Sequence, residues 1–133
     1  MNKVWHTSGK RKKAIARATL VSGKGTIRIN NIILDNYEPK IYRMRIKEAL
    51  LLAGPIADQV DINVHVSGGG MMSQADAARL TIAKALVEYT KDDKLRQAYL
   101  EYDRNILVAD VRRNEPCKPN DSKPRAKRQK SYR

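Results

Sequence analysis

Five cationic side chains stand within eight residues near the N-terminus, and they point to phosphate binding. The run Lys10–Lys13 follows a Ser-Gly pair, and Arg17 completes the group. Like charges at this density repel one another in an isolated domain and favour a partner that carries phosphate. A neighbouring glycine allows the backbone to approach that phosphate closely. The alternatives are a solvated terminus and a basic localisation signal.

A second candidate is the segment VSGGGMMS, residues 66–73, which joins a strand pattern to a helix pattern. The N-terminus of a helix presents free N–H groups to an anion. The segment lacks the Gly-Lys-Ser/Thr ending of a P-loop and does not match GxGxxG, so it suits one RNA phosphate better than a nucleotide. A tight chain reversal accounts for the glycines equally well. Met71 and Met72 are expected to fill the core.

The sequence offers little for acid–base, thiol or metal chemistry. His6 and His65 are the two histidines, and Cys117 is the single cysteine. One cysteine excludes an internal disulfide, and three scattered ligands match no zinc spacing. We therefore predict no catalytic residue, no metal and no cofactor.

The last twenty-two residues, 112–133, form a strongly basic tail. They hold nine Lys or Arg, two acids and three prolines, with no Leu, Ile, Val, Met or Phe. Such a segment buries too little apolar surface to offset its ordering entropy, and the prolines forbid a continuous helix. We expect a polyanion to order it, and nucleic acid is the usual one. The alternative is a solvated tail without a specific partner.

Length and charge indicate one domain with an extension. The chain has 133 residues, a net charge of +13 and a pI near 10.1. We predict a globular RNA-binding domain over residues 1–111 and an extended basic tail over residues 112–133. Residues 1–111 carry 18 basic and 12 acidic side chains, so the excess is not confined to the tail. No stretch has the roughly 18 apolar residues of a spanning helix, and we expect no membrane partner.

The first half of the domain reads as strands followed by a helix. Residues 14–21 alternate, a Ser-Gly-Lys-Gly turn follows, and residues 26–29 resume the alternation, which predicts a hairpin. Another turn precedes residues 32–34. A helix is predicted from Glu38-Pro39 to Ala53 because Tyr42, Ile46, Ala49, Leu50 and Ala53 form an apolar stripe. Lys40, Arg43 and Lys47 share its opposite side and repel one another unless a negative group lies there.

The second half reads as strand, helix, helix and strand. Residues 61–66 alternate with Ile62, Val64 and Val66 inward. A long helix is predicted over residues 73–90, with Ser73 and Asp76 as a capping box, and a shorter one over residues 92–102. Residues 106–111 are predicted to form a final strand. The fold class is therefore α/β (α+β), a single layered domain with helices packed against one mixed β-sheet.

Four motifs of this chain resemble one known family. They are SGKRKKAIARA at residues 8–18, GGGMMSQADAAR at 68–79, IAKAL at 82–86 and QKSYR at 129–133. Together they resemble the small-subunit ribosomal protein nine family, and the terminal motif is similar to its archaeal and eukaryotic branch. The short N-terminus favours an archaeal source.

The resemblance implies a ribosomal S-five domain-two-like fold in the head of the small subunit of the cytoplasmic ribosome. Its implied partners are small-subunit ribosomal RNA, neighbouring head proteins and the anticodon stem-loop of peptidyl-site tRNA, with no small-molecule substrate. We predict ribosomal RNA contacts from Lys10, Arg11, Lys12, Lys13, Arg17, Lys40, Arg43, Lys47, Gly69, Gly70, Arg112, Arg113, Lys118, Lys123, Arg125, Lys127 and Arg128. We predict tRNA contacts from Lys130, Tyr132 and Arg133.

Two other functions compete with this one. A basic protein that compacts DNA would share the charge. A phosphotransferase on a related fold would use the glycine-rich loop before a helix, but it needs a metal-binding acid and a base there. Asp76 is the acid that the sequence offers near that loop.

Overall fold

The computed structural model describes residues 3–120, 123–125 and 132, and its centre is a five-stranded sheet. The strands are β1 (Val4–Arg11), β2 (Ala14–Ser22), β3 (Ile27–Ile29), β4 (Ile32–Ile33) and β5 (Val60–Ser67). The helices are α1 (Lys40–Ala53), α2 (Met71–Thr90) and α3 (Asp93–Tyr102). The sheet order is β1-β2-β5-β3-β4. Of the neighbouring strand pairs, β3 and β5 run parallel and the other three run antiparallel. The predicted layered domain with a mixed sheet is confirmed.

The core lies between one face of the sheet and the helices. Alternation buries Ala14, Ala16, Ala18 and Leu20 on β2 and Val60, Ile62, Val64 and Val66 on β5, as predicted for residues 14–20 and 62–66. Small side chains let α2 approach closely, since a Cβ on Gly9 would lie 2.6 Å from Oγ1 of Thr81. Each fully buried Leu or Ile contributes roughly 1.5–3 kcal/mol.

The predicted hairpin between residues 14–21 and 26–29 is wrong, because β5 lies between β2 and β3. After β2 the chain crosses the start of β5, and the carboxylate of Asp61 accepts hydrogen bonds from the N–H groups of Lys24 and Thr26. These bonds, that of Thr26 first, lower the pKa of Asp61. A local alternating pattern cannot reveal a strand that inserts from later in the chain.

The helices pack on one face of the sheet. Both predicted ends of α1 are close to the observed ones, and α2 packs against β1, β2 and α1. Helix α3 covers the outside, where the buried hydroxyl of Tyr99 donates a 2.6 Å hydrogen bond to the carbonyl of Ala49. Burial raises the pKa of Tyr99 because the phenolate would lose its hydration.

Helix α2 begins earlier than predicted. It starts at Met71 with Gly70 as N-cap, so Ser73 caps nothing and the predicted capping box is wrong. Met71 and Met72 are about half exposed, at 45% and 49%, rather than in the core. Their turn precedes Ala75, the first residue of α2 that is buried.

The predicted strand over residues 106–111 is also wrong. A short 3-10 helix spans Arg104–Ile106, and the chain from Val108 to Pro119 takes no regular form. The side chain of Asp103 caps this turn by accepting from the N–H of Asn105, and Ile106 is fully buried beneath it. These two contacts hold residues 103–106 against the helices, so the residues that follow do not pair with the sheet. Within residues 3–120, no helix combines the length and apolar character that a bilayer span requires.

Candidate nucleic-acid interface

The cations near the N-terminus form a tight turn at one end of the sheet. Arg11 pairs with Ala14 across β1 and β2, so Lys12 and Lys13 are the entire connection. Lys12 has a φ of 53°, in the left-handed region that non-glycine residues seldom adopt. Lys10, Lys12 and Lys13 are exposed, whereas Arg11 is largely covered. We call Lys10–Lys13 the basic turn.

The glycine loop, Gly68–Gly70, lies directly against the basic turn. It leaves β5 at Ser67, which pairs with Ile15 of β2. Gly68 and Gly69 have φ values of 73° and 67°. A Cβ on Gly68 would lie 2.7 Å from the carbonyl oxygen of Lys13, and one on Gly69 would lie 2.8 Å from the nitrogen of Ala14. The two predicted RNA-binding motifs are therefore in backbone contact.

Gly70 differs from its two neighbours. Its φ is −107°, and apart from its neighbours in the chain no atom of the described residues lies within 4 Å of the position that a Cβ would take. The chain reversal thus explains Gly68 and Gly69 but gives no reason for Gly70. Open space beside a helix N-terminus is what a bound phosphate requires.

The tail starts from the same end of the sheet. Asp110 forms ion pairs with Arg11 at 3.5 Å and with Arg112 at 2.6 Å, and its carbonyl accepts from Arg113 at 2.9 Å. Hydrogen bonds from the side chain and N–H of Arg112, with the charge of Arg11, hold the pKa of Asp110 well below its usual range. Asp110 therefore ties the first tail residues to the basic turn.

Other arginines near this end serve the fold. Arg79 of α2 is almost fully buried, and its guanidinium donates to Glu48 and, at 2.5 Å, to Asp103. Arg45 of α1 reaches Asp76 at 3.1 Å. Burial would raise the pKa of Asp103, but hydrogen bonds from the Asn105 N–H and from Arg79 outweigh it and lower that pKa. Sequence reasoning missed this network of two arginines and three acids. Arg45 and Glu48 stand three residues apart on α1, but the ion pairs that join α1, α2 and Asp103 connect residues distant in sequence.

Replacing Arg79 with Met should lower the free energy of unfolding by about 3 kcal/mol, since Glu48 and Asp103 lose a buried partner. The depressed pKa of Asp103 means that its contribution is complete above its unfolded pKa of about 3.9 and is lost as the pH falls through the lower folded value. The difference between variant and wild type should therefore shrink below about pH 4. Urea unfolding at two pH values measures it, and Arg96→Gln, an exposed change on α3, should stay within about 0.5 kcal/mol. An unaffected Arg79→Met would contradict the structural role.

The three predicted cations of α1 lie at the other edge of the sheet. Lys47 binds Asp35 at 2.6 Å, and Arg43 lies 3.8 Å from Glu38 and also donates to the carbonyl of Asp35. The hydrogen bond from Lys47 and then its charge lower the pKa of Asp35. Asp35 follows the edge strand β4, so the chain itself supplies the negative charge beside these cations. Lys40 is exposed. Their role in RNA binding stays a prediction.

The described part of the tail is open to solvent. Lys118, Lys123 and Tyr132 are exposed, and Arg125 makes a 2.5 Å ion pair with Glu115. Cys117 is exposed and free. Four predicted contact residues lie outside the described residues: Lys127, Arg128, Lys130 and Arg133. The boundary between domain and tail at residue 111 stays a prediction.

The groups that a phosphotransferase would need are not assembled at the glycine loop. Asp76 is bound to Arg45, and both histidines stand on exposed positions of the sheet. Among residues 3–120, 123–125 and 132, no three His, Cys, Asp or Glu side chains form a cluster that could hold a metal ion. The geometry instead presents exposed cations and open backbone at one end of the sheet.

A family model described as ribosomal protein S9/S16 matches residues 9–133, nearly the whole chain. The chain belongs to this family. The matched region includes the basic turn, the glycine loop and the tail. Ribosomal protein S9/S16 is a family of ribosomal proteins rather than of enzymes.

Relatives of this chain within the S9/S16 family include archaeal proteins. The chain is 52% identical over 133 residues to the small ribosomal subunit protein uS9 of Methanococcus vannielii, covering 98% of this chain and 99% of the relative. It is 51% identical, with the same coverage, to the protein of that name from Methanococcus maripaludis. The predicted family and its archaeal type are confirmed.

Proposed function

We propose that this chain is a structural constituent of the small subunit of the cytoplasmic ribosome. It binds small-subunit ribosomal RNA through one surface made of the basic turn, the glycine loop and the start of the tail. The observation that carries the proposal is the contact of Gly68 and Gly69 with Lys13 and Ala14, together with the Asp110 ion pairs. Motifs that are distant in sequence, and that would each bind phosphate through different groups, therefore lie at one site.

The charge of this surface suits RNA phosphates. Lys10, Lys12 and Lys13 are exposed and make no ion pair within the described residues. Lysine and arginine side chains that replace condensed counterions give tight, salt-dependent binding to nucleic acid. The lone Trp5 is half-buried against Tyr89, at 5.0 Å between ring centroids, so it offers no open platform for base stacking. The exposed lysines of the basic turn therefore favour recognition of phosphate and shape.

Sedimentation tests the proposed place in the subunit. The tagged chain should travel with small subunits through a sucrose gradient after a high-salt wash, because many phosphate contacts must break together. In binding assays it should prefer a small-subunit ribosomal RNA transcript to duplex DNA of equal length. Release by a moderate salt wash, or equal binding to DNA, would favour a general nucleic-acid-compacting protein.

The tail extends this role to peptidyl-site tRNA. Twenty-two residues span at most ~75 Å when extended, at roughly 3.3–3.6 Å each. Its prolines restrict the free chain and reduce the entropy lost on threading between RNA strands. The guanidinium of Arg133 can hold phosphate with two parallel hydrogen bonds, and Lys130 and Tyr132 stand beside it in sequence. We propose that these three residues contact the anticodon stem-loop.

Deleting Gln129–Arg133 should leave the domain folded, because the core is built from residues up to Ile106. It should weaken tRNA binding in the peptidyl site by roughly tenfold, since charged hydrogen bonds of about 1.5–3 kcal/mol are lost. Filter binding of tRNA to purified subunits measures this. The matched variant Lys118→Gln/Lys123→Gln removes the same number of charges from the middle of the tail and should bind tRNA as wild type does. Equal affinities for the deletion and the wild type would refute the tRNA contact.

A further inference from the structure

The sheet has a second face on which the helices do not pack. Across the central strands, the side chains on this face are half-buried or exposed, in contrast to the buried alanines and valines behind them. From residue 3 to residue 120, no helix lies over it, because α1, α2 and α3 all stack on the opposite side. Its members include Arg17, Thr19, Arg28, Asp61, Asn63 and His65.

Two arginines stand on this face with a recess between them. The strand register places Arg17 beside His65 and Arg28 beside Asn63, which stands two residues before His65 on β5. With strands about 4.8 Å apart and about 3.3 Å per residue, the two arginine Cα atoms are roughly 12 Å apart. The recess has a volume of about 210 Å³ and is lined by both arginines and by Thr19, Asn63 and His65.

The two arginines have no acidic partner among residues 3–120, 123–125 and 132. Asp61 stands on the same strand as Asn63, but its carboxylate is held by the N–H groups of Lys24 and Thr26. This contrasts with Arg45, Arg79 and Arg112, each of which has a carboxylate within 3.5 Å. After the hydrogen bonds from Thr26 and Lys24, the charge of Arg28 also lowers the pKa of Asp61, so Asp61 is a nearby counter-charge. The recess is thus a positively charged site in which neither arginine forms an ion pair with the described residues.

Neutral hydrogen-bonding groups complete the recess. The side chain of Asn63 is exposed and makes no hydrogen bond within the described part of the protein. Next to it, Asn30 uses its amide on both the N–H and the carbonyl of Val66, at 2.8 and 3.1 Å, which fixes the wall. Oγ1 of Thr19 lies 3.2 Å from Nδ1 of His6. Asn63 and His65 are left to meet a ligand between the arginines.

The size of the recess selects its ligand. The recess has a volume of about 210 Å³, which is larger than the volume of several water molecules at about 30 Å³ each. It is smaller than the 300–1,000 Å³ of pockets that enclose a drug-sized molecule. A phosphate with its ribose fits such a volume. Guanidinium groups on both sides suit a phosphodiester, and an amide and an imidazole suit a 2′-hydroxyl or a base edge.

We propose that this recess binds one nucleotide of ribosomal RNA, with Arg17 and Arg28 on its phosphate and Asn63 and His65 on its sugar or base. The inference rests on the proposed function, and it adds Arg28, Asn63 and His65 to the RNA-binding residues. Lys10 and Arg17 lie on this same face, so the recess continues the surface of the basic turn across the sheet.

Binding of the full chain to a transcript of small-subunit ribosomal RNA, measured over a range of salt concentrations, tests the proposal. Arg28→Gln should weaken binding about tenfold and reduce the salt slope by about 0.7–0.9, the loss of one phosphate contact. Arg28→Lys should keep the slope and lose only part of the affinity, because the charge remains but the fork of donors does not. Asn63→Ala should weaken binding several-fold at an unchanged slope. Both positions are exposed, so thermal unfolding of all three variants should match wild type.

Arg96→Gln is the matched control, since it removes the same charge from α3 on the helical side. It should leave affinity and slope within about twofold of wild type. If Arg28→Gln and Asn63→Ala bind RNA as wild type does, while neutralising the basic turn still weakens binding, the proposed nucleotide site in the recess is refuted but the proposed function is not. No effect from either set would overturn both. If the Arg28→Gln variant binds RNA normally but is lost from assembled subunits, the recess contacts a neighbouring protein and the proposed RNA contact is refuted.

Discussion

Replacing Lys10, Arg11, Lys12 and Lys13 together with Gln should weaken binding to small-subunit ribosomal RNA by roughly 100- to 1,000-fold at about 0.1 M salt. Each lysine or arginine on a phosphate contributes about 0.7–0.9 to the slope of log affinity against log salt, so the slope should fall by about 3. The turn carries no buried apolar side chain, and the variant should stay folded. Filter binding at several salt concentrations gives both numbers.

The matched control removes four exposed cations from the helical side: Lys91, Lys94, Arg96 and Arg104, each replaced with Gln. It carries the same net charge as the turn variant, so any effect of total charge on binding appears in both. The account requires the control to retain most of the affinity and slope. Equal losses in the two variants would show that total charge, and not the basic turn, governs binding.

Gly69→Ala should destabilise the domain by roughly 2–4 kcal/mol. Its backbone is left-handed, and the added Cβ would lie 2.8 Å from the nitrogen of Ala14, which belongs to the sheet and cannot move alone. The basic turn must shift to relieve this contact, so RNA affinity should fall as well. Urea unfolding and filter binding measure the two effects.

Gly70→Ala separates packing from phosphate binding. Its backbone is extended and the space beside it is open, so stability should fall by only about 1 kcal/mol, the cost of Ala in place of Gly at an N-cap. RNA affinity should still fall several-fold, because a Cβ would occupy the place of a phosphate at the start of α2. If Gly70→Ala binds RNA normally, the glycine loop serves only the chain reversal. If Gly69→Ala is as stable as wild type, the contact with the turn is wrong.

Periodicity predicted the elements that carry their own pattern. The alternation of Ala14 to Leu20 and of Ile62 to Val66 identified buried strands, and the stripe from Tyr42 to Ala53 identified α1. Their burial follows from residues close together in sequence, which is the information that a pattern contains. The strand β1 was not predicted, because its charges and its Ser-Gly pair mask the alternation that buries Thr7 and Gly9.

The hydrophobic pattern could not predict which distant segments of the chain pair with each other. The insertion of β5 between β2 and β3 pairs residues far apart in sequence, and Asp61 holds the turn after β2 from 35 residues away. The strand predicted over residues 106–111 failed for a similar reason, because Asp103 and Ile106 fix that segment on the helices. Tertiary contacts decide which strands pair in the first case and override local β-propensity in the second.

The residues of the candidate site were identifiable, but their arrangement was not. The density of lysines and the three glycines stood out in the sequence, whereas the contact between Lys13 and Gly68 came only from the fold. Arg28 gave a weak signal, since it alternates with Ile27 and Ile29 and so faces outward. Which of the cations are neutralised, as Arg79 is by Glu48 and Asp103, depends on side chains that no spacing rule connects.

A density map of small subunits that contain this chain tests the central claim most directly. We expect a single region of ribosomal RNA to place phosphates within about 4 Å of the basic turn, of the Gly70 N–H and of Arg112 or Arg113, a distance at which charged hydrogen bonds and ion pairs form. A map in which the basic turn faces solvent or protein, with RNA lying against α2 and α3 instead, would contradict it.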